Sequence, residues 1–383
     1  MILDNVAIRG MTPIPVATGT VAWRIVIEGG HIRQIQAKKD HSRENDNYIQ
    51  FTGAVAFPGL INSHDHLEFN LFPLLANKVY KNYTEWARDI QESKQEEISA
   101  ILRIPEDVRI EWGCYKNLLN GFTTVVNHGK KIGIGNSPVH VYQSCTSLHS
   151  TAFERNWRIK LNNPFNTSRI VAMHIGEGND DMAGKEIGKV ARWNFLRKKI
   201  VAVHGIAMNK KQARRFEGLT WCPDSNEKLI GATAAIKDIG SKTRVVFGTD
   251  STLSSGWNAW EHFRLGLKQS GITEQNLLDM LTIVPAKLWG LKDRGSLKEN
   301  TEANLVIAEQ KAGFFENNPE NILMVIQKGK IRLYDESLAG QIQLPSFSKV
   351  TINKRVKFVD GDLPGLVNRI RSFCPAIDLP LSI

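Results

Sequence analysis

The chain has 383 residues, of which 42% are hydrophobic and 23% are charged. These fractions are typical of globular proteins and argue against a disordered, collagen-like or coiled-coil chain. No apolar run approaches the ~20 residues of a membrane-spanning helix, and the N-terminus lacks the pattern of a secretory signal peptide. We therefore expect a soluble, cytoplasmic protein without a membrane partner.

Charge and cysteine content narrow the class of protein further. The excess of 49 basic over 39 acidic side chains gives a net charge of +10, but it is spread along the chain, and its densest clusters carry no interleaved aromatic residues. We therefore expect no nucleic-acid partner. Four scattered cysteines, without a Cys-x-x-Cys pair, argue against a disulfide scaffold and against a cysteine zinc site.

The first 55 residues have the alternation that is typical of β-strands. Residues 21–27 are rich in β-branched side chains, residues 28–31 (Glu-Gly-Gly-His) favour a tight turn, and residues 32–35 favour a returning strand. This pattern predicts a β-hairpin near the N-terminus.

Between residues 56 and 293, short apolar runs alternate with helical stretches. Continuous apolar strands separated by helices indicate a parallel sheet that is covered on both faces. We count eight such strands, at residues 55–61, 123–126, 139–142, 155–161, 169–173, 200–203, 218–221 and 244–247. The predicted fold class is therefore α/β, with a (β/α)8 TIM-type barrel over residues 56–293.

After residue 290 the strand pattern returns, in residues 303–307 and 324–331. The second of these segments has the same apolar–turn–apolar pattern as residues 21–35. We therefore predict that residues 1–55 and 294–383 together form one small β-sandwich-like domain beside the barrel.

Two metal-binding side chains occur at the end of the first predicted barrel strand. His64 and His66 are two positions apart, so their imidazoles point to the same side of a strand, whereas Asp65 faces away. At the C-terminal end of a barrel strand, that side faces the mouth where active sites lie. Two imidazoles in this arrangement can chelate one divalent ion such as Zn²⁺. The alternative is a structural role, which is common for a lone His-x-His pair.

Three later strands also end in polar side chains that suit a metal site. His174 follows residues 169–173 and precedes Glu177 by three positions, while His204 and Asp250 follow two further strands. Each has a structural alternative: a packing histidine, a surface carboxylate or a turn residue. Together they place candidate ligands at the C-terminal ends of four strands, which a barrel brings to one mouth.

These motifs, in this order, resemble the amidohydrolase superfamily, especially the branch that holds guanine deaminase, cytosine deaminase and chlorohydrolases. The resemblance covers roughly residues 20–310 and includes further segments at residues 121–126, 222–226, 283–291, 295–298 and 303–307. It implies one divalent metal ion, with zinc as the first choice and iron or manganese as alternatives. The implied ligands are His64, His66, His174 and Asp250.

The resemblance also implies three catalytic roles. Asp250 would bind the ion or take the proton of the attacking water, Glu177 would carry that proton to the leaving nitrogen, and His204 would orient the water and stabilise the developing oxyanion. His128 and Asn226 lie at the same predicted mouth, where substrate contact competes with a solvated-loop and a loop-fixing role. No lysine is evidently placed to be carbamylated between two ions, which disfavours a binuclear site.

The implied activity is hydrolysis of a non-peptide C–N bond, with deamination of a small purine, pyrimidine, pterin or triazine-type heterocycle as the leading reaction. Two alternatives stay open: a hydrolase that opens a cyclic amide or imidazolone ring, and a catalytically silent barrel that binds a small molecule. Residues 147–169 are few for the units they must form, so the loops that select the substrate look trimmed. The expected partner is a small molecule, and homo-oligomerisation stays open.

Overall fold

The computed structural model of the protein describes residues 1–9, 22–37, 48–133, 135–166, 168 and 170–383. Within this part of the chain, no helix has the length and apolar character that crossing a bilayer requires. The strands are β1 (Ile2–Ile8), β2 (Trp23–Glu28), β3 (His31–Ala37), β4 (Tyr48–Gln50), β5 (Ala54–Pro58), β6 (Leu60–Asp65), β7 (Phe122–Asn127), β8 (His140–Tyr142), β9 (Thr146–Leu148), β10 (Ile170–Ile175), β11 (Lys199–His204), β12 (Gly218–Trp221), β13 (Arg244–Phe247), β14 (Leu305–Glu309), β15 (Ile322–Gln327), β16 (Lys330–Asp335), β17 (Phe347–Ile352) and β18 (Arg355–Asp360).

The helices lie mainly between the strands of the central part of the chain. They are α1 (Tyr83–Ser93), α2 (Gln95–Leu102), α3 (Glu106–Leu119), α4 (Trp157–Leu161), α5 (Asp181–Trp193), α6 (Lys210–Ala213), α7 (Pro223–Ile230), α8 (Ile236–Gly240), α9 (Ala259–Ser270), α10 (Glu274–Leu281), α11 (Ile283–Trp289) and α12 (Leu363–Phe373). Short 3₁₀ helices lie at Leu67–Phe69, Phe314–Glu316, Pro319–Asn321 and Glu336–Leu338. Pro105 precedes α3, whose first turn carries Glu106 and Asp107, where acidic side chains interact favourably with the helix dipole.

Strands β6 to β13 follow the order of the chain in two parallel sheets. One sheet has the order β6-β7-β8 and the other has the order β13-β12-β11-β10-β9. Apart from the first residues of β10 and β11, the inner strands β10, β11 and β12 are buried, as parallel strands covered on both faces are. Among the described residues no ladder joins β8 to β9 or β13 to β6. The fold is therefore mixed α/β with parallel sheets, and closure of the barrel stays a prediction.

One of the eight predicted strands is wrong. Residues 155–161 contain α4, and the strand between β8 and β10 is instead β9. Trp157 and Leu161 are four positions apart, so a helix places both on one face, and both are buried. β9 has only three residues, Thr-Ser-Leu, and lacks the apolar run by which the other strands are recognised. Arg169, where the next predicted strand begins, lies outside the described residues.

A ten-stranded sheet is built from both ends of the chain. Its order is β17-β18-β16-β15-β14-β5-β1-β2-β3, with β4 paired to β1. The predicted hairpin is present as the antiparallel pair β2 and β3, although Val21 lies outside the described residues. A separate sandwich-like domain with boundaries at residues 55 and 294 stays a prediction.

Gly59 is the single residue between the ten-stranded sheet and the first strand of the parallel sheets. β5 ends at Pro58 and β6 begins at Leu60. A Cβ atom at Gly59 would collide with the side chain of Thr123 in β7, so glycine permits this close approach. The close approach at Gly59 thus determines where β6 begins, and His64 lies near the C-terminal end of that strand.

Candidate metal centre

Side chains from the ends of four strands converge on one point. The Nε2 atoms of His64 and His174 are 3.2 Å apart. Asp250 Oδ1 lies 3.6 Å from His64 Nε2 and 3.9 Å from His66 Nε2, and Asp250 Oδ2 lies 4.0 Å from His204 Nε2. All five side chains are buried. The structure thus brings together all four predicted metal ligands and His204.

Burial keeps the two facing imidazoles neutral. It lowers the pKa of His64 to about 4 and the pKa of His174 well below its usual value. For His174, repulsion from the imidazoles of His128, His149 and His64 acts in the same direction. Neutral imidazole is the form that can bind a metal ion through a ring nitrogen.

One ring nitrogen of His204 has a hydrogen-bond partner, and the other has none. Its Nδ1 lies 2.9 Å from Oδ1 of Asn226, and the amide Nδ2 of Asn226 donates to Thr233 Oγ1 at 3.2 Å. With the amide in this orientation, Nδ1 of His204 is the donor, so Nε2 has the free lone pair when the ring is neutral. Nε2 is buried without a hydrogen-bond partner and faces the cluster.

Asp250 is held by hydrogen bonds on both carboxylate oxygens. The hydroxyls of Ser225 and Ser254 each donate to Oδ2 at 2.8 Å, and the amide of Ser251 donates to Oδ1 at 2.9 Å. Burial would raise the pKa of this carboxyl, but His64 and the neighbouring imidazoles outweigh burial and hold it well below its usual range. Asp250 is therefore ionised at neutral pH.

The surroundings of Glu177 raise the pKa of its carboxyl group, whereas those of Asp250 lower it. Its Oε2 lies 3.6 Å from His204 Nε2 and 3.7 Å from His174 Nδ1. Burial raises the pKa of Glu177 to about 7, and the negative charges of Asp250 and Glu186 add to the rise while His204 opposes it. A carboxyl group with such a pKa exchanges a proton readily at neutral pH.

The donor set fits a divalent ion of the zinc type. Two groups of three ligand atoms lie within 4.8 Å of one another, namely His64, His174 and His204, and His64, His66 and Asp250. Zinc–nitrogen distances of about 2.0–2.1 Å in a tetrahedral site place neighbouring ligand atoms about 3.3–3.4 Å apart. The 3.2 Å between Nε2 of His64 and Nε2 of His174 is close to that spacing.

A cavity of about 260 Å³ opens beside the cluster. Its walls combine aromatic and aliphatic side chains with the cluster residues: His66, Phe69, Tyr83, Trp86, Ala87, Ile90, Gln91, His149, Phe153, His174, Glu177, Leu229, Asp250, Ser251, Leu253 and Ser254. Among the described residues that form this wall, there is no lysine or arginine. The wall thus combines apolar and aromatic surface with the carboxyl groups of Glu177 and Asp250, and the cavity suits a small, partly apolar molecule.

His128 and Asn226, the two predicted substrate contacts, do not line this cavity. His128 is buried and stacks on His174, with ring centroids 4.6 Å apart, and its Nε2 lies 3.1 Å from the carbonyl oxygen of Leu148. Asn226 orients His204 through the 2.9 Å contact described above. His128 thus packs on His174, and Asn226 holds the ring of His204, so each contacts a histidine of the cluster.

Several residues around the cavity were not found from the sequence. Glu186 accepts hydrogen bonds from the hydroxyls of Tyr83 at 3.0 Å and Thr151 at 2.7 Å, and from the amide of Gly176 at 2.9 Å. His149 lines the cavity with its ring centroid 4.9 Å from that of His174. His149 directly follows β9, so its position at the end of a strand is the sequence feature that indicates a place at the site.

Comparisons with known proteins bear on the family and the fold. Residues 166–332 match the model of the amidohydrolase family. The comparison with curated proteins found no match. Each structural comparison below is at most 15% identical in sequence, so it bears on the fold alone.

Three solved structures share most of the fold. Atrazine chlorohydrolase from Arthrobacter aurescens, complexed with zinc, has a TM-score of 0.68 at 13% identity and covers 97% of this chain and 99% of its own. 5-Methylcytosine deaminase from Klebsiella pneumoniae has a TM-score of 0.62 at 15% identity, covering 86% and 97%. Guanine deaminase from C. acetobutylicum, with bound guanine, has a TM-score of 0.60 at 13% identity, covering 86% and 99%. Residues 166–332 thus match the amidohydrolase family, as the motifs in that part of the chain indicated, and the chain shares its fold with these three enzymes.

Proposed function

We propose that this protein is a metal-dependent hydrolase that uses water to break a non-peptide C–N bond, and that its reaction is the deamination of a small, uncharged N-heterocycle. The observation that carries the proposal is the convergence of His64, His66, His174, His204 and Asp250 on one point beside a cavity. The similar structures, a chlorohydrolase with zinc and two deaminases of nitrogen heterocycles, support the same class of chemistry.

His64, His66, His174 and Asp250 are the proposed ligands of one divalent ion. Imidazole nitrogen and carboxylate oxygen suit zinc first, with iron or manganese as alternatives. The lone pair on Nε2 of His204 makes this residue a further candidate ligand as well as a group that contacts the reacting oxygen. When bound, the ion would acidify water and polarise the bond under attack.

Asp250 and His204 orient the attacking water in this proposal. The carboxylate of Asp250 is ionised and is held by the hydroxyls of Ser225 and Ser254, so it can accept a hydrogen bond from water in a defined direction. The ring of His204 is oriented by its contact with Asn226, and its Nε2 lies 4.0 Å from Asp250 Oδ2. Both groups are placed before the substrate binds, which lowers the reorganisation that the reaction requires.

Glu177 is the proposed proton carrier. It borders the cavity and lies within 4 Å of His174 and His204. Its pKa of about 7 allows it to take a proton from the attacking water and to deliver it to the departing nitrogen of the substrate. The two carboxyl groups at the site therefore divide the work, because Asp250 stays ionised while Glu177 exchanges its proton.

The cavity limits the class of substrate. At about 260 Å³ it is slightly smaller than typical ligand sites, which range from about 300 to 1,000 Å³. Phe69, Trp86 and Phe153 line the cavity with aromatic surface, and Gln91 and His149 add polar side chains to its wall. We therefore propose a neutral heterocycle without phosphate or carboxylate groups.

The test is metal analysis followed by an ammonia-release screen. The purified chain should contain about one divalent ion, and an uncharged purine, pyrimidine, pterin or triazine should release ammonia. Asp250→Asn should abolish the release and Glu177→Gln should lower its rate about 10²–10⁴-fold, whereas Asp181→Asn, at an exposed side chain, should leave it unchanged. Addition of water with retention of nitrogen, read by product mass, would instead indicate ring opening. Bound metal without turnover on the whole panel would indicate a binding protein.

A further inference from the structure

Lys116 is a buried lysine that no part of the proposed chemistry uses. It lies on α3, is 2% exposed, and has three hydrogen-bond acceptors around its ammonium group. Nζ donates to Asp65 Oδ2 at 3.2 Å, to Thr249 Oγ1 at 3.1 Å and to the carbonyl oxygen of Asp250 at 3.2 Å. An ammonium group has three donors, so all of them are used.

The position of α3 makes this reach feasible. One turn before Lys116, Gly113 faces the backbone of Leu67, and a Cβ atom there would collide with the carbonyl oxygen of Leu67. Glycine thus lets α3 pack directly on the segment that follows His66. From this position the side chain of Lys116 reaches Asp65 and the backbone of Asp250.

The charge of Lys116 is balanced by Asp65, which is fully buried between the two histidines of the His-x-His pair. Asp65 also accepts hydrogen bonds from the amides of Asn117, at 2.8 Å, and Asn70, at 2.9 Å. A buried ion pair is tolerated only when the remaining polar atoms are satisfied in this way. The hydrogen bonds to the side chain of Asp65 therefore hold the backbone between His64 and His66 in place.

Lys116 also spans the junction between the two parallel sheets. No ladder joins β13 to β6 among the described residues, yet Asp65 belongs to β6 while Thr249 and Asp250 follow β13. Asn62 of β6 crosses the same junction, because its amide donates to Thr249 Oγ1 at 2.7 Å and accepts from the amide of Thr249 at 3.0 Å. Side-chain hydrogen bonds thus connect β6 to the residues that follow β13, where the described residues form no backbone ladder.

Asp250 needs this support because its backbone is strained. Its φ of 58° lies in the left-handed region that residues other than glycine rarely adopt. Its amide donates to the carbonyl oxygen of His64 at 3.1 Å, and its own carbonyl oxygen accepts from Lys116. These two contacts hold the conformation that directs the carboxylate towards His64 and His66.

We propose that Lys116 is a positioning residue that holds Asp250 against His64 and His66 and thereby sets the affinity of the site for its divalent ion. The inference rests on the metal centre of the proposed function. Lys116 touches neither the cavity beside the cluster nor the ligand atoms of the imidazoles. It acts through the backbone of Asp250 and through Asp65.

The protein offers a matched control in a second buried lysine. Lys357 is fully buried, pairs with Asp335 at 2.7 Å and donates to the carbonyl oxygens of Glu320 and Ile322. It lies in the sheet built from the chain ends. Removing either ion pair should cost stability, but only the pair of Lys116 should alter metal binding.

The experiment compares two double variants of the full-length chain, Asp65→Asn/Lys116→Met and Asp335→Asn/Lys357→Met. Each removes both charges, so neither leaves an isolated charge buried. Zinc affinity is measured by competition with a chromophoric chelator, and the geometry of the site by the absorption bands of bound Co²⁺. The first variant should bind zinc at least ten-fold more weakly than the wild type and show shifted Co²⁺ bands, while the second should match the wild type within two-fold.

The result separates this inference from the proposed function. If the wild-type chain binds no divalent ion, the metal centre itself is wrong and the role of Lys116 with it. If the wild type binds zinc and the Lys116 variant binds it equally well, only the positioning role is overturned. Equal losses in both double variants would also overturn it, because the loss would then follow general destabilisation.

Discussion

The imidazoles of His64 and His174 face each other through their Nε2 atoms at 3.2 Å, in the interior of the protein. Both rings have lowered pKa values because they are buried, so both are neutral near pH 7. One proton between them can satisfy this contact, but a cation between the two lone pairs satisfies it together with the ionised Asp250 beside them. The pair is therefore the most direct structural sign of a metal site.

Loss of one of these imidazoles should remove the ion. We expect His174→Ala to weaken zinc binding by more than the roughly 10–100-fold that follows loss of an outer hydrogen-bond partner of a metal ligand. Metal content after gel filtration and chelator competition measure the effect. His149→Asn is the matched control, because His149 lies beside His174 but belongs to neither group of candidate ligands. An equal loss in both variants would contradict the ligand assignment.

Glu177 should matter for turnover and not for metal content. Glu177→Gln keeps the size of the side chain but cannot exchange a proton, so we expect kcat to fall about 10²–10⁴-fold, the usual contribution of a general acid–base group. Metal content should stay within experimental error of the wild type. A variant that keeps kcat within a few-fold would show that another group carries the proton.

Glu186 should act through the wall of the cavity. Its carboxylate ties Tyr83, Thr151 and Gly176 together, and Gly176 directly precedes Glu177. Because hydrogen bonds to a charged group contribute about 1.5–3 kcal/mol each, Glu186→Ala should loosen this wall and raise KM by about ten-fold or more. Glu186→Gln keeps an acceptor oxygen and should recover part of the loss. An unchanged KM in the alanine variant, at full metal content, would refute the role.

His262 should make the protein less stable in mild acid. Burial lowers its pKa to about 4, and Lys116 and Lys228 add to this effect while Asp224 and the carbonyl oxygen of Gly256 oppose it. The folded state therefore binds this proton less readily than the unfolded state, whose pKa is about 6.5. Its contribution is complete above pH 6.5 and is lost as the pH falls towards 4, by up to roughly 1.4 kcal/mol per pH unit.

Urea unfolding of the metal-free chain between pH 7 and pH 4 measures this contribution. His262→Gln should show a shallower fall of the unfolding free energy over that range than the wild type. His31→Gln, at an exposed position of the N-terminal hairpin, should follow the wild-type slope. Parallel curves for the His262 variant and the wild type would show that this residue does not control the acid response.

Hydrophobic patterning located most of the fold. The strands β7, β11, β12 and β13 contain short runs of buried apolar or β-branched residues, so they are recognisable without any knowledge of their neighbours. The three residues of β9, Thr-Ser-Leu, carry no such pattern. The five residues of α4 span little more than one helical turn, so their sequence does not distinguish a helix from a strand. Short elements depend on their tertiary surroundings more than on local preference.

The sequence by itself determined which side chains stand at the ends of the parallel strands, because strand alternation and the order of His64, His66, His174, His204 and Asp250 are local properties of the chain. Only the tertiary structure decided what lies around them. Lys116 reaches the carbonyl oxygen of a residue 134 positions away, and its partner Asp65 is 51 positions away. Contacts of this kind have no sequence period. Only when these segments pack together do the imidazoles around Asp250 hold the pKa of its carboxyl low enough to keep it ionised, while burial raises the pKa of Glu177 to about 7.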